Sequence, residues 1–308
     1  MPECDEKKAL IRAKAFELGF VACGFAQADR VNDEAIEQYE KWLCSGKNDC
    51  MDYASKYQEL RNDPRELFPG TRTVISLALN YYPAHFQKKD APQFSYYAYG
   101  RDYHDVIKER LKELAEYIRE NWHEESRICV DTAPVMEKYW ARQAGVGMIG
   151  RNNLLIIPGK GSFFFLGELL TTLAIEPDKP CVESCGDCML CVEACPGGAL
   201  ADRSSLDARR CLSCQLIERR GELPSWVADV AENRIYGCDE CQLSCPHNKD
   251  IVSTSIKDFN PQEEFLGLTI EDVSSLSEAD FKRLFGKSAI RRVKLEGLLR
   301  NAKMLKQR

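Results

Sequence analysis

The chain has 308 residues, 44% of them hydrophobic and 29% charged, which is enough for two domains with buried cores and unlike a small disulfide-stapled scaffold. A net charge of −6 argues against a protein that grips nucleic acid over its whole surface. The N-terminus, MPECDEKKALIRAKAF, has neither the apolar stretch of a secretory signal nor a twin-arginine pair, and no apolar run is long enough to span a bilayer. The expectation is therefore a cytoplasmic protein with no membrane partner.

In chain order, residues 5–18 read as a charged amphipathic helix. TVISLALNYY (73–82), bounded by Pro69-Gly70 and Pro83, suits a buried strand. DVIKERLKELAEYIREN (105–121) puts Ile107, Leu111, Leu114 and Ile118 on one face, as in a surface helix packed on a sheet. RICVD (127–131) reads as a further strand. After Thr132-Ala133, Pro134 opens a helical VMEKYWARQAG whose Gly145 is a C-terminal stop. NNLLIIPGKGSFFFLGELLTTLAI predicts two strands around a Pro-Gly-Lys-Gly turn. A boundary falls near residue 180. Residues 181–250 are rich in cysteine, glycine and charge, and residues 251–308 are polar and helical. The pattern is α/β (α+β) for residues 1–180, then a cysteine-rich domain at 181–250, then a short helical C-terminus at 251–308. That last segment ends in KSAIRRVKLEGLLRNAKMLKQR, where eight Lys or Arg face one Glu, the asymmetry of an anion-binding tail or of a solvated amphipathic helix.

Ten of the fifteen cysteines lie between 181 and 247. In a reducing compartment such clustering means metal or redox chemistry. Cys185, Cys188, Cys191 and Cys195 with Pro196 form a complete C-x2-C-x2-C-x3-C-P run. Three closely spaced thiolates wrap one corner of a four-iron cube, and the fourth ligates a second cluster in two-cluster ferredoxins. Zinc prefers two separated C-x2-C pairs. CDECQLSCPHN (238–248) is a partial copy, with Ile235 where a leading cysteine would stand. The exchange rule gives cluster one Cys185, Cys188, Cys191 and Cys245, and leaves cluster two with Cys195, Cys238 and Cys241 plus one ligand. Cys211 and Cys214 in RRCLSCQ both qualify. Cys4, Cys23, Cys44, Cys50 and Cys129 read as ordinary buried thiols, and Cys181 as either kind.

A pair of clusters is an electron relay and needs a terminus in the first 180 residues. No G-x-G-x-x-G follows a strand, so a Rossmann-type nicotinamide or FAD site is not indicated. DYHDVI (102–107) begins like the D-x-H-x-x-G of histidine-ligated cobalamin proteins but lacks the glycine, so His104 reads as a helix-entry residue. YGRDYH (99–104), VDTAPVMEKYWARQAGVGMIGRNNLLI (130–156), GSFFFLGELL (161–170), the cysteine run, DARRC (207–211) and NRIYGCDECQLSCPHN (233–248) occur in the order found in epoxyqueuosine reductases. From about residue 5 to residue 250 the chain resembles that family.

The resemblance implies a cobalamin-binding catalytic domain before a ferredoxin-like domain with two four-iron four-sulfur clusters. It implies reduction of the epoxide of epoxyqueuosine at the tRNA wobble position to queuosine, with a ferredoxin- or flavodoxin-type electron donor. It implies Cys211 as the completing ligand, because the family reads RRC-x-S-Tyr there and Cys214 stands where an aromatic is usual. Asp131 matches the proton donor of the family's D-[ST]-A-P motif, which would protonate the epoxide oxygen as cob(I)alamin opens the ring. That role requires a raised pKa, expected from burial against the corrin. The plain alternative is that Asp131 caps the helix near Pro134. Tyr99, Asn153, Leu155, Ser162 and Gly167 lie in segments matching the family around the corrin, and Ser213 and Cys214 lie next to a cluster ligand; with Asp131 these are the expected cobalamin contacts, and each equally suits a core or turn position. Many relatives continue into HEAT-like repeats where this chain stops, so the basic tail is expected to carry more of the tRNA contact. A reductive dehalogenase-like cobalamin enzyme and a ferredoxin-type electron-transfer module are the alternatives.

Overall fold

The computed structural model describes residues 2–201 and 205–307, with side chains from residue 6 onward. Its centre is a four-stranded antiparallel sheet made of β1 (Ala22–Gln27), β2 (Thr73–Asn80), β3 (Ser126–Cys129) and β4 (Phe164–Thr171), in the order β1-β2-β4-β3. Registers such as Phe25↔Ile75, Leu77↔Gly167 and Ile128↔Leu169 bring apolar residues of one parity to one face. Phe25, Ile75, Leu77 and Leu169 meet Ile11 and Ala15 of α1 (Pro2–Glu17) and Ile107, Leu111, Leu114 and Ile118 of α3 (Tyr103–Trp122). Ala26, Val74, Ala78 and Leu170 of the other parity meet Ile36 of α2 (Asp33–Cys44) and Trp140 and Ala141 of α4 (Glu137–Gln143). The period-two alternation of the strands thus produces helices on both faces.

The expected helices over 5–18 and 105–121 and strand over 73–82 are present within a few residues. α3 starts at its N-cap Asp102, whose side chain accepts from the His104 backbone N–H, and ends at His123 with φ 55°. Two expectations shift. The helix after Pro134 begins only at Glu137, because residues 130–135 are taken up by tight turns, with Thr132 N donating to Val130 O and Val135 N to Ala133 O. The strands placed around the Pro-Gly-Lys-Gly turn belong to different sheets. Leu155–Ile156 pairs with Met148–Ile149 in a small hairpin, and only an isolated bridge, Ile157↔Gly161, spans the turn. The tip of that hairpin, residues 150–154, points Arg151 and Asn152 at the cysteine-rich segment.

The three segments share cores. The strand Gln93–Phe94 pairs in parallel with Arg234–Tyr236. A third apolar cluster joins Phe94 and Tyr99 to Ile217, Ile235 and Tyr236, and to Phe265, Phe285, Ile290 and Leu298 of the C-terminal segment. Asn301, fully buried, donates to Leu216 O and Ile235 O at 2.9 Å each. These two bonds tie α6 (Lys294–Lys306) to α5 (Leu212–Ile217), the helix that follows Cys211, and to the strand Arg234–Tyr236. No helix among the described residues is long and apolar enough to cross a membrane.

Candidate functional site

The cysteines fall into two sets by the charges they feel. Burial raises the Cys191 thiol, and the sulfurs of Cys185, Cys245 and Cys188 raise it further. Burial likewise raises Cys245, which also feels Cys185 and Cys188. These four line one cavity with Arg151 and Asn152. In the other set, burial pushes Cys241 well up, with Cys238, Cys211 and Cys195 adding to it. Burial takes Cys238 up to about 12, with Cys211 again a neighbour. What marks both sets is the gathering of four thiols in one place, the number that a four-iron cluster takes.

The shape of the sets fits cubes rather than single ions. Two thiolates on one tetrahedral zinc, with bonds of about 2.3 Å, stand about 3.8 Å apart. Among the described residues no three of these eight sulfurs lie within 4.8 Å of one another. Cys185, Cys188, Cys191 and Cys245 line a cavity, as thiolates on separate iron corners do. Backbone donors already face the sulfurs: Arg151 N to Cys185 Sγ at 3.4 Å and Ala199 N to Cys195 Sγ at 3.2 Å. Arg151 also donates to Cys188 O and Gly186 O, and Asn152 to Cys241 O at 3.1 Å, so one hairpin tip braces both halves of the cysteine segment.

Cys214, the rival to Cys211, turns its thiol the other way. Its backbone N–H and that of Ser213 face the Cys211 sulfur. The Cys214 Sγ meets Cys50 Sγ at 3.8 Å. Cys50 is thus paired and half-buried rather than an ordinary buried thiol, and Cys44 is exposed, whereas Cys23 and Cys129 are buried as expected. The Cys4 side chain lies outside the described residues. Cys181, like Cys185, packs against the cluster of Met148, Ile156 and Cys245, and it donates its backbone N–H to Arg142 O.

Asp131 sits at φ 44°, the centre of a turn in which Thr132 N reaches back to Val130 O. This positive-φ γ-turn is rare and strained for a non-glycine residue. Its side chain does not cap α4, whose N-cap Met136 makes no side-chain cap bond. Instead Asp131 Oδ2 meets His104 Nε2 at 3.1 Å, and His104 Nδ1 meets Asp102 Oδ1 at 2.7 Å. Asp102, 3% exposed, is paired through Oδ2 with Arg291 at 2.9 Å. Burial opposes a charge on His104, but hydrogen bonds to Asp102 and Asp131 overcome it and bring its pKa up to about 9. Burial also raises Asp131, yet the His104 hydrogen bond and charge, with Tyr103 beside it, bring it net below the ordinary carboxylate value. The expected raised carboxyl is therefore not a property of the protein shell: in the protein the proton rests on the imidazole. The Asp131 backbone N–H donates to Glu137, which burial and the Asp131 charge push up to about 8. Beneath it the fully buried Glu168, with Oε2 unpartnered, is raised well above its ordinary value by burial, then by Glu137.

His104 was legible only as a helix-entry residue. Its partner Asp131 is 27 residues on and joins it only through the fold; the D-x-H of DYH was the sole local signal. Tyr53 was missed entirely. This half-exposed ring lies in the electrostatic field of Glu218, Arg292, Asp131 and the Cys214 sulfur. Arg292 stacks over that ring at 5.5 Å and pairs with Glu218 at 2.6 Å.

The remaining corrin candidates spread out. Asn153, at φ 60°, is half-buried at the hairpin tip, and its carbonyl accepts from Lys138 Nζ at 2.7 Å. Leu155 is buried against the sheet. Ser162 is buried and bonded to Asn248 and Gln242, which links the catalytic layer to the second cysteine motif. Tyr99 lies in the third core, its hydroxyl against Gln87. Gly167 faces α3, where an added Cβ would stand 2.8 Å from Ile107 and 3.0 Å from Leu111. Close helix packing is thus one reason for glycine there.

Two family models match the chain: "Epoxyqueuosine reductase QueG, DUF1730" over residues 61–132 and "4Fe-4S double cluster binding domain" over residues 184–248. The epoxyqueuosine reductase of Cellulophaga algicola is 40% identical over 298 residues, covering 96% of this chain and 97% of its own. A crystal structure of an epoxyqueuosine reductase with an epoxyqueuosine-modified tRNA-Tyr stem loop superposes with a TM-score of 0.89 at 29% identity, covering 98% of this chain and 81% of that one. The Bacillus subtilis enzyme matches with a TM-score of 0.88 at 28% identity, again over 98% and 81%, in a state whose aspartate-bearing catalytic loop is swung out of the active site.

Proposed function

The chain belongs to the epoxyqueuosine reductase family of oxidoreductases, and from that premise we propose that it reduces the epoxide of epoxyqueuosine at the wobble position of tRNA, in the cytoplasm, using cobalamin and two four-iron clusters. The net reaction takes two electrons and two protons and yields an alkene and water. The two cysteine sets, Cys185, Cys188, Cys191 and Cys245, and Cys195, Cys211, Cys238 and Cys241, would hold the clusters and pass single electrons from a ferredoxin- or flavodoxin-type donor. Cobalamin supplies a strongly nucleophilic reduced cobalt when bound. Asp131, Asn153 and Ser213 would touch it, with Tyr99, Leu155, Ser162, Gly167 and the Cys214 backbone shaping the walls behind them. Both nitrogens of His104 are engaged by carboxylates, so it is not free to ligate cobalt. That fits a cobalamin without a histidine beneath the metal.

The protein's own part is proton handling. His104, charged at neutral pH, hands a proton to Asp131, and Asp131 delivers it to the departing epoxide oxygen. Asp102, held by Arg291, keeps the imidazole oriented and charged. The neutral Glu137 accepts from the Asp131 backbone without setting a second negative charge beside the acid. One observation supports the reading most: Asp131 Oδ2 lies 3.1 Å from His104 Nε2, whose Nδ1 is held at 2.7 Å by the buried Asp102, so a proton source stands behind the proposed acid. The test is turnover of an epoxyqueuosine-modified stem loop by the anaerobically reconstituted protein. Wild type should form queuosine, and Asp131→Asn should keep iron and cobalamin but form none. A fully active Asp131→Asn removes the role, and a wild type that binds no cobalamin favours a pure electron-transfer module.

A further inference from the structure

Cys50 and Cys214 are 164 residues apart and neither belongs to a cysteine set, yet their sulfurs meet at 3.8 Å. The Asp49 carboxylate joins them: one ligand atom from each of Asp49, Cys50 and Cys214 lies within 4.8 Å of the others, the one such trio among the described residues. We propose that these three side chains hold a single zinc-class divalent cation, separate from both clusters.

Three observations support the site. The sulfur separation is the edge of a zinc tetrahedron, about 3.8 Å for bonds of about 2.3 Å. The carboxylate is held as metal-ligating carboxylates are, by hydrogen bonds from behind. Asp49 sits at φ 47° and accepts from Arg219 Nη2 at 2.8 and 2.9 Å and from Gln215 Nε2 at 2.7 Å, with Gln215 fully buried. Charge also closes: two thiolates and a carboxylate carry −3, and a divalent cation with Arg219 carries +3. Thiolate ligands disfavour magnesium and calcium, which take oxygen, and zinc accepts a sulfur and oxygen set. Binding releases the two thiol protons to solvent and changes no oxidation state. Cys50 is half-buried, so solvent completes the tetrahedron from its side.

The cation would fasten the loop carrying Tyr53, three residues past Cys50, to the helix that begins after Cys211. It would thereby set the distance between the proposed acid and cluster two. None of its side-chain ligands is assigned to a cluster, so the site stands whether or not the reductase reading does.

The experiment uses anaerobically reconstituted protein with its iron content measured alongside. After challenge with zinc sulfate and then a competing chelator, one zinc should remain per chain beside a full iron complement. Zinc K-edge absorption should show two sulfurs at about 2.3 Å with lighter scatterers. Cys50→Ala and Asp49→Asn, both at half-buried positions, should each weaken zinc at least tenfold while iron stays constant, which separates site loss from unfolding. The proposal is overturned if zinc is not retained, if it is retained equally by both variants, or if it is bound only as iron is lost and shows four sulfurs. A 2 Da mass deficit from a Cys50–Cys214 disulfide would overturn it as well.

Discussion

His104 keeps, through its two carboxylate partners, a charge that an isolated imidazole loses near neutrality. Its pKa is raised from 6.5 to about 9, so its ion pairs contribute fully below the ordinary value and are lost as pH rises through about 9. Single-turnover rates should accordingly fall above about pH 9. His104→Gln, which keeps a hydrogen bond but no titratable proton, should be slow and lack that alkaline limb. An unchanged pH–rate profile in the variant rejects the relay. The same scale decides between Cys211 and Cys214. Cys211→Ser should drop iron from about eight to about four per chain with loss of one cluster signal by electron paramagnetic resonance, and Cys214→Ser should keep about eight. Spacing alone left that choice open, since both cysteines sit at usable positions in RRCLSCQ, and only the family resemblance implied Cys211. What separates them is the first turn of α5, which faces two backbone N–H groups toward Cys211 and sends the Cys214 thiol toward a loop 164 residues away.

Among the elements, those with strong local periodicity were legible. α3, with Ile107, Leu111, Leu114 and Ile118 at helical spacing, and β2, an unbroken apolar run, follow from their own residues. The hairpin at Met148–Ile156 did not. Its strands are two residues long, and its turn depends on Asn153 in a left-handed conformation, whereas Pro-Gly-Lys-Gly nearby is a louder signal for a lesser turn. The Asp131 loop was hidden for a similar reason. D-T-A-P reads as a helix entry, but a positive φ at Asp131 and two successive i-to-i+2 hydrogen bonds delay the helix to Glu137. Gly167 shows how one residue can bear two readings, a corrin contact by family resemblance and a packing necessity by its place on β4. Gly167→Ala should force α3 off the sheet and cost on the order of 1–3 kcal/mol in denaturant unfolding. If cobalamin affinity of the folded variant is unchanged, the glycine is there for the helix; a variant of wild-type stability that binds cobalamin poorly would show the opposite.

Across the whole molecule, the C-terminal segment is both core and surface, and this changes how its charge must be tested. Read as a tail, residues 287–308 invite deletion. In the fold, however, Ile290, Val293, Leu298, Asn301 and Ala302 are buried, and Asn301 anchors α5, so truncation would open the third core and disturb the helix that follows Cys211. Several of the cations are committed as well. Arg291 holds Asp102, Arg292 pairs with Glu218, and Arg300 donates to the carbonyls of Arg219 and Gly221. Lys287, Lys294, Lys303 and Lys306 are exposed and are the groups that could neutralise phosphate. If this surface binds the tRNA stem loop, replacing the four with Gln should leave iron content and unfolding midpoint near wild type and weaken binding more at low salt than at high. The slope of log affinity against log salt should shrink by about 0.7–0.9 for each phosphate that is no longer neutralised. Fluorescence anisotropy with a labelled stem loop over a salt series reads this directly. An unaltered slope would place the RNA on another face and leave the basic residues as the solvated side of a structural helix.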